Sequence, residues 1–247
     1  MRPSYNLDKI KFATDEPTFE RAIGLYENGK VTQFKEELNG FFATVLGTKP
    51  YRVYVDKRHY DIGDCECYLG QNDQLCKHMV AVAIYAVMNG NKLSQKDKEL
   101  VGSPKCSDKI GELNKKELTE VKKAITAAMR YIKPYHGPSR IWFAYQNSLD
   151  EGCARLSKLV SELPVSEQTA RLLVDMLLRL ERKLNGVDDS NGTVGGFMQE
   201  VVLMLQEYAK LEPKCIKLFK KLCGQETSFS WEESLVKMFD EQNINKK

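Results

Sequence analysis

The chain has 247 residues, with 37 lysines and arginines against 34 aspartates and glutamates, and 42% of its residues are hydrophobic. This length gives one large or two small globular domains, and the near-balanced charge argues against a protein that coats nucleic acid or membrane by bulk electrostatics. The longest apolar run, Met79–Met88, is about half as long as a membrane-spanning helix. Because the N-terminal residues contain no apolar signal core, the sequence predicts a cytoplasmic protein without a membrane partner.

Residues 1–90 carry the signals of a small α+β module. Asp15 suits a helix cap and Pro17 suits the first turn, and apolar residues follow them at helical spacing. Asn39-Gly40 marks a hairpin turn between two apolar segments. We therefore predict a short helix packed on an antiparallel sheet, whose strands are residues 31–38, 41–46 and 51–56.

The module continues with a further short strand or knuckle at residues 60–68 and an apolar helix at 77–88, before a polar connector, residues 91–113. Residues 114–247 have the composition of an all-α domain, and Asn114 and Glu117 suit a capping box at its start. The predicted helices of this domain are residues 114–132, 140–163, 166–184, 195–210, 213–223 and 230–240. The expected fold class is thus an α+β module followed by an all-α helical domain.

Four potential metal ligands lie within fourteen positions. Cys65 and Cys67 form one pair, Cys76 and His78 form another, and eight residues separate the pairs. Tetrahedral zinc takes thiolate and imidazole ligands in such pairs. An extended segment directs residues i and i+2 to one face, so Cys65 and Cys67 can bind one ion from a bent strand, whereas Cys76 should precede a helix that holds His78 in its first turn. The sequence predicts one structural Zn²⁺ with four protein ligands.

Two other interpretations of these residues are open. They could be buried thiols beside a chance histidine, or Cys76 and His78 could form a reactive thiol with its base, although zinc would occupy both groups. Paired metal spacing is absent from the other cysteines, whose roles the sequence leaves open: Cys106, Cys153, Cys215 and Cys223.

The motif Cys65-x-Cys67-x8-Cys76-x-His78, continued by Met79-Val80-Ala81, resembles the SWIM-type zinc finger. The resemblance covers about residues 12–88, and each of the family's four zinc ligands has the same residue type in this chain. It implies a module that binds DNA or protein. Residues 114–247, including Trp142-Phe-Ala-Tyr-Gln, resemble the helical half of uncharacterised bacterial SWIM-containing proteins, which implies a shared architecture and no function.

Basic and aromatic residues crowd the hairpin that leads into the motif, a mixture that suits phosphates and bases. An ordinary solvated hairpin with tyrosines in the core would give the same mixture. The candidate nucleic-acid contacts are Lys49, Arg52, Lys57, Arg58 and Lys77. Since we find no catalytic or nucleotide-binding motif and no sign of a small-molecule substrate, we expect a non-enzymatic protein that binds DNA or other nucleic acid. The alternative is a protein-protein adaptor that acts through the helical domain.

Overall fold

The structure is a computed structural model that describes residues 3–99, 102–137 and 142–244, with the backbone alone at 142–144. The chain divides into two compact units, Met1–Leu100 and Val101–Lys247. Each unit has its own hydrophobic core. The division falls inside the predicted connector, residues 91–113. Among the described helices, none combines the length and the apolar character that crossing a membrane requires.

The first unit contains the helices α1 (Leu7–Phe12), α2 (Glu16–Glu27), α3 (Lys77–Met88) and α4 (Gln95–Lys98). The helices predicted from the sequence of this unit are α2 and α3. Asp15 caps α2 by accepting a hydrogen bond of 2.9 Å from the Thr18 amide, and Pro17 lies in the first turn. The sequence does not predict α1, because six residues are too few for helical periodicity to show.

The sheet has four antiparallel strands in chain order: β1 (Val31–Glu36), β2 (Gly40–Leu46), β3 (Pro50–Asp56) and β4 (Gly63–Cys65). The first three are the predicted strands, and β4 lies in the segment predicted as a strand or knuckle. β2 and β3 pair along their whole length, whereas β4 pairs with β3 over three residues and ends with Cys65 opposite Val53. The α+β fold class is confirmed.

The two faces of the sheet differ because successive strand residues point to opposite sides. The inner face is apolar and buried, and α3 packs against it, while α2 packs against α3. The buried inner-face side chains of β2 and β3 are Phe41, Ala43, Val45, Val53 and Val55. The outer face carries Phe42, Thr44, Arg52 and Tyr54 at the alternate positions, which are half-buried or exposed.

The second unit is helical, as predicted. Its α-helices are α5 (Lys115–Ala128), α6 (Trp142–Ser161), α7 (Glu167–Leu184), α8 (Thr193–Leu211) and α9 (Glu233–Ile244). Asn114 and Glu117 form the predicted capping box on α5. Arg140, where the second predicted helix begins, lies outside the described residues.

Three helices of this unit differ from the prediction. α5 ends at Ala128, four residues before its predicted end at residue 132. Residues Pro213–Leu222 form a 3₁₀ helix. The sequence did not distinguish this from an α-helix, because its apolar residues recur at three- and four-residue spacing, which suits either type. The last helix begins at Glu233 and not at Ser230, whose φ of 52° is left-handed. The next residue, Trp231, is buried and its indole N–H donates to Glu181 at 2.7 Å, which holds this segment outside the helix.

Gly63 begins β4 and lies directly against the β3 backbone. A Cβ atom at this position would stand 2.1 Å from the Tyr54 carbonyl oxygen, which pairing of the strands holds in place. We expect Gly63→Ala to lower the free energy of unfolding of the first unit by about 2 kcal/mol or more, as measured by urea denaturation.

Gly24→Ala is the matched control, because a Cβ atom there has open space around it in the middle of α2. Alanine in a helix interior is favoured over glycine by about 1 kcal/mol, so this variant should be slightly more stable than the wild type. A Gly63→Ala protein as stable as the wild type would show that β4 does not need this close approach.

Candidate metal centre

The structure brings all four predicted ligands together. The side chains of Cys65, Cys67, Cys76 and His78 are buried, and their ligand atoms all lie within 4.8 Å of one another. All seven cysteines of the chain are free thiols. The four donors therefore converge from two separate elements, the edge strand β4 with the residues after it and the start of α3.

The first pair of ligands lies at the end of β4. Cys65 closes the strand, and the chain then turns so that the Gly70 amide donates a hydrogen bond to the Cys67 sulfur at 3.4 Å. Gly70 must be glycine, because a Cβ atom there would lie 2.5 Å from the Cys65 Cβ. This requirement was not predicted from the sequence, although a glycine three residues after the CxC pair is a signal for it.

The second pair lies at the N-terminus of α3. Cys76 is the N-cap residue in an extended conformation and His78 lies in the first turn, as the spacing predicts. Buried residues from His78 to Ile84 anchor the helix in the core of the first unit. The apolar sequence of α3 thus fixes where two of the four ligands stand.

The His78 ring is oriented by its neighbours. Its Nδ1 lies 3.6 Å from the Cys65 sulfur and 3.9 Å from the Cys76 sulfur, and its ring stacks on Tyr51 with 4.6 Å between centroids. Its Nε2 is buried without a hydrogen-bond partner among the described residues, and a Cβ atom at Gly47 would stand 3.0 Å from it. Nδ1 is therefore the nitrogen that faces the thiols and can bind a metal.

The neighbouring thiols of Cys65 and Cys76 shift each other's pKa in opposite directions. The pKa of Cys76 is lowered, first by the Cys65 thiol and further by His78 and the Met79 amide. The pKa of Cys65 is raised by the Cys76 side chain and by burial. Zinc takes all three sulfurs as thiolates, so metal binding displaces the protons that the thiols still hold.

This donor set fits one structural zinc ion. Three thiolates and one imidazole nitrogen are typical of closed tetrahedral sites, in which every ligand position is filled by protein. The buried His78 nitrogen lies within 4.8 Å of all three sulfurs, as the fourth ligand of such a site would. Bound zinc would join β4 to the start of α3.

The comparisons with known proteins agree with this geometry. Residues 51–86 match the family model of the SWIM zinc finger. This segment is similar to SWIM zinc fingers. The match begins at Tyr51, whose ring stacks on His78, and it ends in α3. Searches of curated proteins and of solved structures found no match. The resemblance of residues 114–247 to bacterial proteins with a SWIM motif stays a prediction.

The fold divides the five predicted nucleic-acid contacts between the two ends of β3. We call the end that holds the β2–β3 turn, residues 47–49, and the start of α3 the zinc end. Lys49, Arg52 and Lys77 lie there, whereas Lys57 and Arg58 follow the opposite end of β3. Strand residues 53–56 separate Arg52 from Lys57, a length of roughly 17 Å along the strand.

Two of these cations have carboxylate partners. Arg52 Nε lies 2.7 Å from Glu66 Oε1, and the amide and side chain of Arg52 together lower the pKa of Glu66. Lys57 Nζ lies 2.8 Å from Glu36, and the Lys57 side chain is only 15% exposed. Lys49 and Arg58 are exposed and Lys77 is half-buried. Sequence proximity thus overstated how closely the five cations cluster.

The remaining cysteines do not join a metal cluster within the part of the chain that the structure describes. Cys153 and Cys215 are buried in the helical core, and burial raises the pKa of both thiols. Cys106 is half-buried and Cys223 is exposed. Packing accounts for the two core thiols without further chemistry.

Removing one thiol from each ligand pair tests the metal centre. A protein with both Cys65→Ser and Cys76→Ser should bind no zinc and lose the cooperative unfolding of its first unit, because each donor pair loses a thiolate and structural zinc supplies folding free energy. Metal analysis of the purified protein and thermal unfolding followed by circular dichroism measure both effects.

Cys223→Ser is the control, since this exposed thiol belongs to the second unit. It should retain one zinc ion per chain and the wild-type unfolding curve. A double serine variant that unfolds like the wild type, or wild-type protein purified without zinc, would contradict a structural site.

Proposed function

We propose that the protein is a non-enzymatic binding protein whose SWIM module contacts the phosphate backbone of nucleic acid through its zinc end. The observation that supports it is a group of lysines around the stacked rings of Tyr51 and His78. Lys49 Nζ lies 5.6 Å from the Tyr51 ring centroid, and Lys77 is the residue next to His78. Lys30 joins them, since its carbonyl accepts a hydrogen bond from the Leu46 amide at the same end of the sheet.

The charges of these lysines are available for phosphates. Lys30, Lys49 and Lys77 form no ion pair among the described residues. Arg52 can join them, because its side chain is 85% exposed and a surface ion pair is worth only about 0–1 kcal/mol, so a phosphate can replace Glu66. Lys57 is a poor candidate because its ammonium is largely buried against Glu36.

The metal has a structural part in this proposal. A closed Cys3His site has no open position for water or substrate, which argues for a binding role and against catalysis. Zinc would order the turn and the helix start that carry the lysines. Three thiolates must remain reduced for this, which favours the reducing cytoplasm as the compartment.

Binding to a generic 20-base-pair DNA duplex at increasing salt concentration tests the proposal. The affinity of the zinc-loaded protein should fall steeply with salt, because each phosphate contact releases counterions. A protein with both Lys49→Ala and Lys77→Ala should bind more weakly and have a log–log salt slope shallower by about 2, since each contact contributes about 0.9. Its zinc content should equal that of the wild type.

Arg58→Ala is the control, because it removes an exposed cation from the opposite end of β3. It should leave the affinity and the salt slope unchanged. A flat salt response of the wild type, or an equal loss in Arg58→Ala, would contradict binding at the zinc end, and a flat response would favour the adaptor function of the helical unit.

A further inference from the structure

An open groove of about 570 Å³ runs between the outer face of the sheet and the loop that follows the CxC pair. Its floor is formed by side chains of β2 and β3, and its walls by β4 and the loop. The side chains that give it chemical character are Phe42, Arg52, Tyr54, Asp64, Glu66 and Asp73. This groove lies on the opposite side of the sheet from α3, and the zinc-end lysines do not line it.

A single row of side chains crosses the floor. Phe42 on β2 stands opposite Tyr54 on β3, and Tyr54 stands opposite Asp64 on β4. The two rings lie 4.7 Å apart between centroids, and Phe42 is 40% exposed. Two adjacent aromatic rings and a carboxylate thus occupy neighbouring positions on three strands.

The groove carries negative charge that its own cation does not neutralise. Arg52 is paired with Glu66, whereas Asp64 and Asp73 are exposed and have no ion-pair partner among the described residues. The pKa of Tyr54 is raised by burial and then by the carboxylates of Asp56, Asp64 and Glu37, which shows the sign of the field around its hydroxyl.

The position of the negative charge is fixed by the fold. Asp73 has a left-handed φ of 54°, and its amide donates to the Gly70 carbonyl. Gly70 in turn donates to the sulfur of Cys67, so the loop is tied to the metal centre. At the other end of the row Lys35 on β1 stands opposite Phe42, so the row is polarised, with its cation at β1 and its anion at β4.

We propose that this groove binds a cationic peptide segment, with an arginine or lysine side chain lying over the Tyr54 ring and its charge between Asp64 and Asp73. Aromatic faces attract guanidinium and ammonium groups, and the carboxylates complement the same charge. The same carboxylates repel phosphate. The groove therefore selects a ligand of opposite charge to the one proposed for the zinc end.

Fluorescence anisotropy of the full zinc-loaded chain with a labelled ten-residue peptide of alternating arginine and glycine tests this assignment. The matched probe replaces each arginine by citrulline, which keeps the shape and removes the charge. The arginine peptide should bind at low salt and the citrulline peptide should bind at least about tenfold more weakly. Equal binding of the two peptides would overturn the proposal.

Variants locate the binding surface. A protein with both Asp64→Asn and Asp73→Asn should bind the arginine peptide about fivefold more weakly, and asparagine at position 73 tolerates the left-handed backbone. Tyr54→Leu should weaken binding about threefold, whereas Tyr54→Phe keeps the ring and should bind like the wild type. Zinc content and circular dichroism should match the wild type in all of these variants.

The charge-matched control removes two exposed carboxylates from α2, with Glu16→Gln and Glu20→Gln together. Because α3 lies between α2 and the inner face of the sheet, these residues stand far from the groove. The control should bind the arginine peptide like the wild type. An equal loss in this control would mean non-specific attraction to an acidic surface and would overturn the groove assignment.

Discussion

The first unit depends on one connection, the convergence of three thiols and an imidazole between β4 and the start of α3. β4 has only three residues and a single neighbouring strand, so its backbone pairing alone holds it weakly. Four ligands on one ion add a link that stabilises both elements. The other side of this link is α3, whose buried apolar residues hold Cys76 and His78 in place.

This connection also arranges the surface charges of the module. The turn between β2 and β3 approaches His78 closely, since a Cβ atom at Gly47 would stand 3.0 Å from its Nε2 and the Tyr51 ring stacks on it. Lysines of the turn and of α3 are thereby brought to one end. The loop after Cys67 is tied to the same centre and carries Asp73 to the outer face of the sheet. Cationic and anionic surfaces therefore lie on different sides of one small metal centre.

Local features of the chain were predictable from the sequence. The ligand set follows from two pairs of residues with short spacing, and α2 follows from Asp15 and Pro17, because each signal acts over a few residues. Contacts between distant segments were not predictable. The ion pairs Arg52–Glu66 and Lys57–Glu36 depend on how β3 lies relative to β1 and to the loop that holds Cys67. The close approaches at Gly63 and Gly70 likewise depend on where the fold places Tyr54 and Cys65. Left-handed Ser230 likewise depends on burial of Trp231 against Glu181, a partner 50 residues away.

Asp64 and Cys65 are adjacent in β4, which couples the groove to the metal centre. Because side chains alternate along a strand, Cys65 points toward the core and Asp64 points toward the outer face. A change in the pairing of β4 with β3 would therefore displace both residues. Loss of zinc would release β4 and thus remove both the ordered zinc end and the anionic side of the groove. Substitution of a lysine at the zinc end would leave β4 in place. The two surfaces share Arg52 and are linked through the metal, so we expect zinc occupancy to control both.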